Sequence, residues 1–246
     1  MKVQDQHQIK PETQSCQTSV TSSPYRILNL YAGIGGNRKL WNNENFKITA
    51  IEYDQATADY YKKHFPNDTV IVADAHEYLL KNYMNYDFIW SSPPCPTHSD
   101  IRRCGVHAGQ YEALYPNMEL YQEILLLQNF HKKHTKFVVE NVVPYYNPLI
   151  PPTKKLHRHL YWANFPIGNF EVTDKRKHEG ITGYGETYGF SVKDSEIADK
   201  RKALRNMVDP DLGLYILNCA IGVQQKQNVK QVSIFDDAVL SCPDIG

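Results

Sequence analysis

Apolar positions along this chain cluster in short runs, set between polar segments of helical period. "YRILNLYAG" (25–33) predicts a first strand that runs into a Gly-rich turn. "FKITAIEYD" (46–54), "DTVIVAD" (68–74), "YDFIWSS" (86–92) and "KFVVEN" (136–141) predict four more, and "HLYWANF" (159–165) is a further candidate. Between them, "NRKLWNNE" (37–44) reads as a helix start. "QATADYYKKHF" (55–65) has helical spacing and stops before Pro66, and "LYPNMELYQEILLLQNFHKKH" (114–134) contains a long amphipathic helix. "DPDLGLYILNCAIG" (209–222) predicts a final helix, with Asp209 as its cap and Pro210 in its first turn. Strands alternating with helices imply an α/β fold built on a mostly parallel, doubly wound sheet.

The patterning breaks in three places. Residues 1–24 are polar, rich in Gln, Ser and Thr, without period, and read as a disordered tail. Residues 164–203 are polar, aromatic and Gly-rich around "GITGYGETYGF", and read as a small insert between a main domain (25–163) and a returning helix (204–223). Residues 224–246 form a second tail.

Composition narrows the class. With 246 residues, 41% of them hydrophobic, the chain can bury one sizeable core. No apolar run approaches the roughly 18 residues of a membrane span, and the first residues lack a signal-like apolar stretch. The five cysteines, at 16, 95, 104, 219 and 242, form no CxxC pair and no zinc spacing, and their odd number disfavours a disulfide framework. The reading is a reduced, cytoplasmic protein without a metal site. The formal net charge of zero disfavours nonspecific coating of nucleic acid. Basic residues nonetheless gather at 154–159, 174–179 and 199–205.

Two stretches carry chemistry. "AGIGG" (32–36) follows the first strand, and its glycines let backbone approach a ligand at what reads as a helix start. Arg38 stands where a dinucleotide fingerprint needs its third glycine, which disfavours a pyrophosphate cofactor. Glu52 and Asp74 end the second and third strands. They suit ribose hydroxyls and an adenine amino group, so S-adenosylmethionine fits; the alternative reading of both is as helix caps. "WSSPPCPTHSD" (90–100) stiffens the backbone on both sides of Cys95. A nucleophile needs such aim, and a structural thiol does not. Glu140 ends the fifth strand, so it shares with Cys95 the carboxyl edge of the sheet, where ligands bind in open α/β folds.

"NLYAGIGG", "IEYD", "AD", "SSPPCPTHS", "ENV" and "LRNMVDPDLGLYIL" resemble, in order, the successive motifs of the cytosine-C5 DNA methyltransferases over residues 25–222, in the compact form of phages and bacterial restriction or orphan systems. The resemblance implies a Rossmann-like S-adenosylmethionine-dependent methyltransferase fold. It implies base flipping, attack of Cys95 on cytosine C6, and proton assistance from Glu140, with the Pro94 carbonyl on the cytosine amino group. It implies cofactor contacts from Tyr31, Gly33, Gly35, Gly36, Glu52, Asp74, Ala75, Pro93 and Asn206. Tyr31 stands where the family usually has Phe. His157 and His159 fall where arginines are usual, so the contact to cytosine O2 passes to Arg158 or His159. Residues 96–113 resemble the mobile loop that closes over flipped DNA, with Ser99, Arg102, Arg103 and Gln110 as contacts. The insert takes the place of a target-recognition domain, offering Lys175, Arg176, Lys177, Tyr184 and Tyr188. Gln231 to Phe235 resembles a sliding-clamp docking peptide. The expected partners are double-stranded DNA, that clamp and a cognate restriction nuclease, with no membrane. The alternatives are a tRNA cytosine-C5 methyltransferase and a catalytically silent DNA-binding homologue.

Overall fold

The computed structural model describes residues 23–171, 182–183 and 185–223. Among the described residues, seven strands form one sheet: β1 (Tyr25–Leu30), β2 (Phe46–Glu52), β3 (Thr69–Val72), β4 (Phe88–Ser91), β5 (Lys136–Val142), β6 (Lys154–Leu156) and β7 (His159–Ala163). Helices α1 (Gln55–His64), α2 (Ala75–Asn82), α3 (Asp100–His107), α4 (Glu119–Phe130), α5 (Lys200–Asn206) and α6 (Pro210–Ile221) accompany them, with a short 3-10 turn at Tyr83–Asn85. The sheet order is β3-β2-β1-β4-β5-β7-β6. The first five strands in that order are parallel, and β7 runs antiparallel to both β5 and β6. The doubly wound α/β expectation is met.

Alternation along the strands explains the two layers. Ile27, Phe88, Trp90 and Val138 face α6, meeting Leu212, Ile216 and Leu217. Their neighbours Leu28, Ile89, Phe137 and Val139 face α2 and α4, meeting Leu79, Ile124 and Leu127. A third cluster sets Tyr61 of α1 and Phe65 just past its end against Phe190, Val192 and Leu204. The described ends of the 164–203 stretch therefore join the main core, since Phe165 and Ile167 pack with Trp90 and Leu212.

The expected helix after the first glycine turn does not form. Residues 36–42 make successive tight turns, with Lys39 N–H donating to Gly36 O and Trp41 N–H to Arg38 O. Side chains win over the local helical pattern here. Asn37 pairs with buried Asn29 at 2.7 Å, and Trp41 sinks against Trp90. Arg38 grips Asp68 with two bonds of 2.8 and 3.0 Å while bonding Trp41 O. Four elements were not anticipated: helix α2 after Asp74, helix α3 inside the expected mobile loop, strand β6 inside the basic 154–159 cluster, and helix α5 over the basic 199–205 run. The proposed tails, apart from residues 23–24, lie outside the described residues.

Asp68 is 3% exposed and holds both the Arg38 fork and the Tyr61 hydroxyl at 2.9 Å. Replacing it with Asn leaves a mostly buried guanidinium without its counter-charge. Asp68→Asn is therefore expected to lower unfolding free energy by about 2–4 kcal/mol, read as a reduced denaturant midpoint in urea titration; a change within 0.5 kcal/mol would show that this clamp is not structural.

Candidate active site

The strand order reverses between β1 and β4, which makes a crevice at their carboxyl ends. β1 and β4 pair there as Leu30 beside Ser91, and β4 and β5 as Ser91 beside Val139. Tyr31 to Gly36, the Cys95 turn and Glu140 thus open at one edge. Glu52 and Asp74 follow on β2 and after β3.

On the cofactor side, Gly33 has φ +53, and a Cβ placed on it would meet nothing within 4 Å. That is open space beside backbone, suited to a ligand. Gly35 and Gly36 serve the protein instead. A Cβ on Gly35 would strike the Phe65 ring, and one on Gly36 would strike Met207 and the Val208 backbone. Glu52 accepts Gly33 N–H at 2.8 Å on one oxygen and the Tyr53 and Asp54 N–H groups at 3.0 Å on the other. It is not a helix cap; Asp54 caps α1. Three of the roughly four acceptor positions of a carboxylate are filled, leaving room for a hydroxyl on the oxygen that faces Gly33. Asp74 does cap α2, through Glu77 N–H at 2.9 Å, yet remains exposed and can accept a further donor. Ala75 is buried beneath it. Exposed Tyr53, missed in the sequence, stands beside Glu52 with 78% of its surface open, a free ring face for a flat ligand.

Tyr31 adopts φ 55, a left-handed conformation that costs a bulky residue about 1–3 kcal/mol. Its hydroxyl donates to Glu123 at 2.6 Å. Burial, then the Glu123 charge, pushes its pKa far above the ordinary tyrosine range. Asn206 is exposed at the end of α5.

The nucleophile turn is held from outside. Buried Pro93 lends its carbonyl to Asn141 Nδ2 at 2.9 Å, while Pro94 is exposed. The Cys95 carbonyl accepts His98 N–H at 3.0 Å and Ser99 N–H at 3.1 Å. His98 is fully buried and bonds the Tyr146 hydroxyl at 2.6 Å. Cys95 itself is half-buried; Cys104 and Cys219 are free thiols too. Desolvation, then the Glu140 charge, raises the Cys95 pKa, while Arg205 and Lys202 of α5 draw it down. Two members of the basic 199–205 run therefore lie within electrostatic range of the nucleophile, a placement the sequence did not reveal.

Glu140 is 7% exposed, and its Oε1 lies 3.5 Å from His159 Nε2. Of the two residues left open at this position, His159 faces the carboxylate. Arg158 is exposed in the β6–β7 turn, where its carbonyl accepts Val143 N–H.

The expected DNA-closing loop is an ordered helix. Ser99 caps α3, accepting Arg102 N–H. Arg102 bonds Glu112 O and lies over the Tyr111 ring. Arg103 pairs with Asp100 at 2.7 Å and lies over Tyr145. Gln110 is exposed. Tyr188 donates to Asp211 at 2.5 Å, so it is engaged by α6. Lys175, Arg176, Lys177 and Tyr184 lie outside the described residues. Among the described residues no His, Cys, Asp and Glu cluster could hold a metal, and no helix is long and apolar enough to cross a membrane.

Residues 25–144 match the family model described as C-5 cytosine-specific DNA methylase. No curated protein matches significantly. Among solved structures, a DNMT2 mutant from Spodoptera frugiperda is 23% identical, with a TM-score of 0.32 over 48% of this chain and 35% of its own. A prophage-encoded protein of Escherichia coli described as a DNA modification methyltransferase is 24% identical, with a TM-score of 0.32 over 50% of this chain and 33% of its own. A SAM-dependent methyltransferase from Agrobacterium tumefaciens is 13% identical, with a TM-score of 0.38 over 50% of this chain and 40% of its own. This chain spans between a third and two-fifths of those three proteins. The fold assignment rests on the strand order, not on these distant likenesses.

Because Glu140 raises the Cys95 pKa, Glu140→Gln is expected to lower it and to speed alkylation of Cys95 by iodoacetamide at fixed neutral pH. Peptide mass spectrometry separates Cys95 from the other thiols. A slower or equal rate in the variant would show that the two groups are not electrostatically coupled.

Proposed function

We propose that this chain, whose residues 25–144 match the model of the C-5 cytosine-specific DNA methylase family, is a member of that family and transfers a methyl group to C5 of a cytosine flipped out of duplex DNA. The cofactor is the family's S-adenosylmethionine, which supplies an electrophilic methyl group. The observation that carries the reading is Cys95 on a proline turn tied to Asn141, the residue after Glu140.

Reactive positions of a stacked base are inaccessible, so the cytosine leaves the duplex first. The Cys95 thiol loses its proton to solvent and its sulfur bonds to C6. The displaced C5–C6 electron pair shifts toward C4, and N3 takes up a proton from Glu140 in its protonated form, which leaves C5 as the nucleophilic carbon of an enamine. The Pro94 carbonyl accepts from the exocyclic amino group. After methylation, C5 loses its proton to solvent, the Cys95 sulfur leaves with restoration of the C5–C6 double bond, and N3 returns its proton to Glu140. We assign the contact to cytosine O2 to His159, because it is the member of the pair that stands beside Glu140.

On the cofactor side, Gly33 leaves backbone space, Glu52 offers its remaining acceptor position to a ribose hydroxyl, and Asp74 accepts from the adenine amino group. Lys202 and Arg205 suit the phosphates flanking the flipped base. We extend the reading to a restriction-linked or phage protective role with a cognate nuclease, and to clamp docking through Gln231–Phe235.

Nucleoside mass spectrometry after incubation with S-adenosylmethionine tests the activity. 5-Methylcytosine is expected in unmethylated duplex DNA, with loss of at least about 1000-fold in Cys95→Ala. Product in tRNA alone would replace the DNA reading with the tRNA one. Cofactor and DNA binding without product would identify a silent homologue. His159→Ala is expected to lower kcat/KM by about 100-fold, with partial recovery in His159→Arg; an unchanged value would remove His159 from the site.

A further inference from the structure

One buried group is not used by this chemistry. Glu123 of α4 has a side chain with no exposed surface. It sits in the apolar run Leu120, Glu123, Ile124, Leu127, at helical spacing on the face turned to the sheet. A buried carboxylate persists only when paired and hydrogen-bonded. Its partners come from three elements. The Tyr31 hydroxyl, just past β1, donates to Oε1 at 2.6 Å. The Ser91 hydroxyl, at the end of β4, donates to Oε2 at 2.5 Å. His76 of α2 lies with Nδ1 3.0 Å from Oε1.

Each partner leads directly into the site. Tyr31 precedes Ala32 and Gly33 of the cofactor turn. Ser91 begins the segment that carries Pro93, Pro94 and Cys95. His76 stands two residues after Asp74. The strands that supply Tyr31 and Ser91 flank the point where the sheet order reverses. One carboxylate thus joins the three segments that must keep register around cofactor and nucleophile. It also compensates the strained left-handed backbone of Tyr31 by anchoring that residue's far end.

We propose that Glu123 is a positioning residue that locks the cofactor turn, the Asp74 turn and the nucleophile segment together, and that protonated His76 holds this lock closed, so that cofactor affinity weakens as pH rises. This rests on the S-adenosylmethionine reading of the same edge. The charged and titratable groups facing His76 are Glu123 and Glu119 from α4 and Asp74 from its own helix cap; those facing Tyr31 are the same three. All are acidic, and all favour the imidazolium. The hydrogen bond to Glu123 is the largest influence, and it raises the His76 pKa above the ordinary histidine value. The sign follows: the contribution of the pair is complete below the ordinary value and is lost as pH rises through the raised one. Glu123 then keeps only two hydroxyl donors.

The test is calorimetric binding of S-adenosylhomocysteine to the full chain from about pH 5.5 to about pH 8.5, the range in which histidine titrates, with thermal melts of the free protein alongside. The amino group of the probe titrates equally for every variant, so ratios to wild type isolate the protein. Wild-type affinity is expected to fall with rising pH relative to His76→Asn, which binds more weakly at low pH and lacks this component. Tyr31→Phe keeps the ring and removes the hydroxyl, and is expected to bind about 10-fold more weakly and to melt at a lower temperature, since buried Glu123 loses a donor. Equal affinities for wild type and Tyr31→Phe, or parallel pH profiles for wild type and His76→Asn, would overturn the proposal. If wild type binds no probe at any pH, the cofactor reading fails. The melts then judge the lock alone: a wild-type advantage over His76→Asn that shrinks as pH rises supports it, and a constant difference overturns it.

Discussion

The hydrogen bond from Asn141 Nδ2 to the Pro93 carbonyl is the constraint on which the site depends. Pro93, Pro94 and Pro96 have no N–H to donate, so this turn cannot hold itself by a backbone ladder. It borrows donors instead. Asn141 reaches across from β5, and the His98 and Ser99 amides close on the Cys95 carbonyl. Pairing of β4 with β5 sets the distance that Asn141 spans, and buried His98 fixes the downstream side against Tyr146. The nucleophile is thereby aimed by the sheet together with its own loop.

The same edge concentrates acids. Glu52, Asp74, Glu123 and Glu140 all stand near the carboxyl ends of the parallel strands. Each is stabilised differently: Glu52 by three amides, Asp74 by a helix start, Glu123 by two hydroxyls and an imidazole, Glu140 beside His159. A cofactor carrying a sulfonium charge suits such an edge, since it adds the positive charge that the edge lacks. The basic α5 supplies the opposite sign in the surroundings of Cys95, where Arg205 and Lys202 draw the thiol pKa down.

Much of this was legible in the chain itself. Five parallel strands and the final helix follow from short apolar runs and an Asp-Pro helix start, because strands covered on both faces need continuous apolar character. Glu52, Asp74 and Glu140 were legible because each lies at or near the carboxyl end of a strand, and Cys95 because prolines flank it. The misses have physical causes. The segment after Gly36 has helical composition, but Asn37, Arg38 and Trp41 find better partners inside the fold than a helix would give them. Ser99, Arg102 and Arg103 read as free loop residues, yet they cap and brace α3. Glu123 was passed over as one acid in an amphipathic helix, although its spacing with Leu120 and Leu127 turned it inward.

The sequence alone determined the layer architecture, the strands that carry acids at their ends, and the stiff proline turn around one thiol, because periodicity and proline stereochemistry are local properties of the chain. Only the tertiary structure decided that His159 and not Arg158 stands against Glu140, that Lys202 and Arg205 come within electrostatic range of Cys95, and that Tyr31, His76 and Ser91 converge on Glu123. Those pairings join residues far apart along the chain. They are fixed by strand register and helix docking, and no local pattern encodes them.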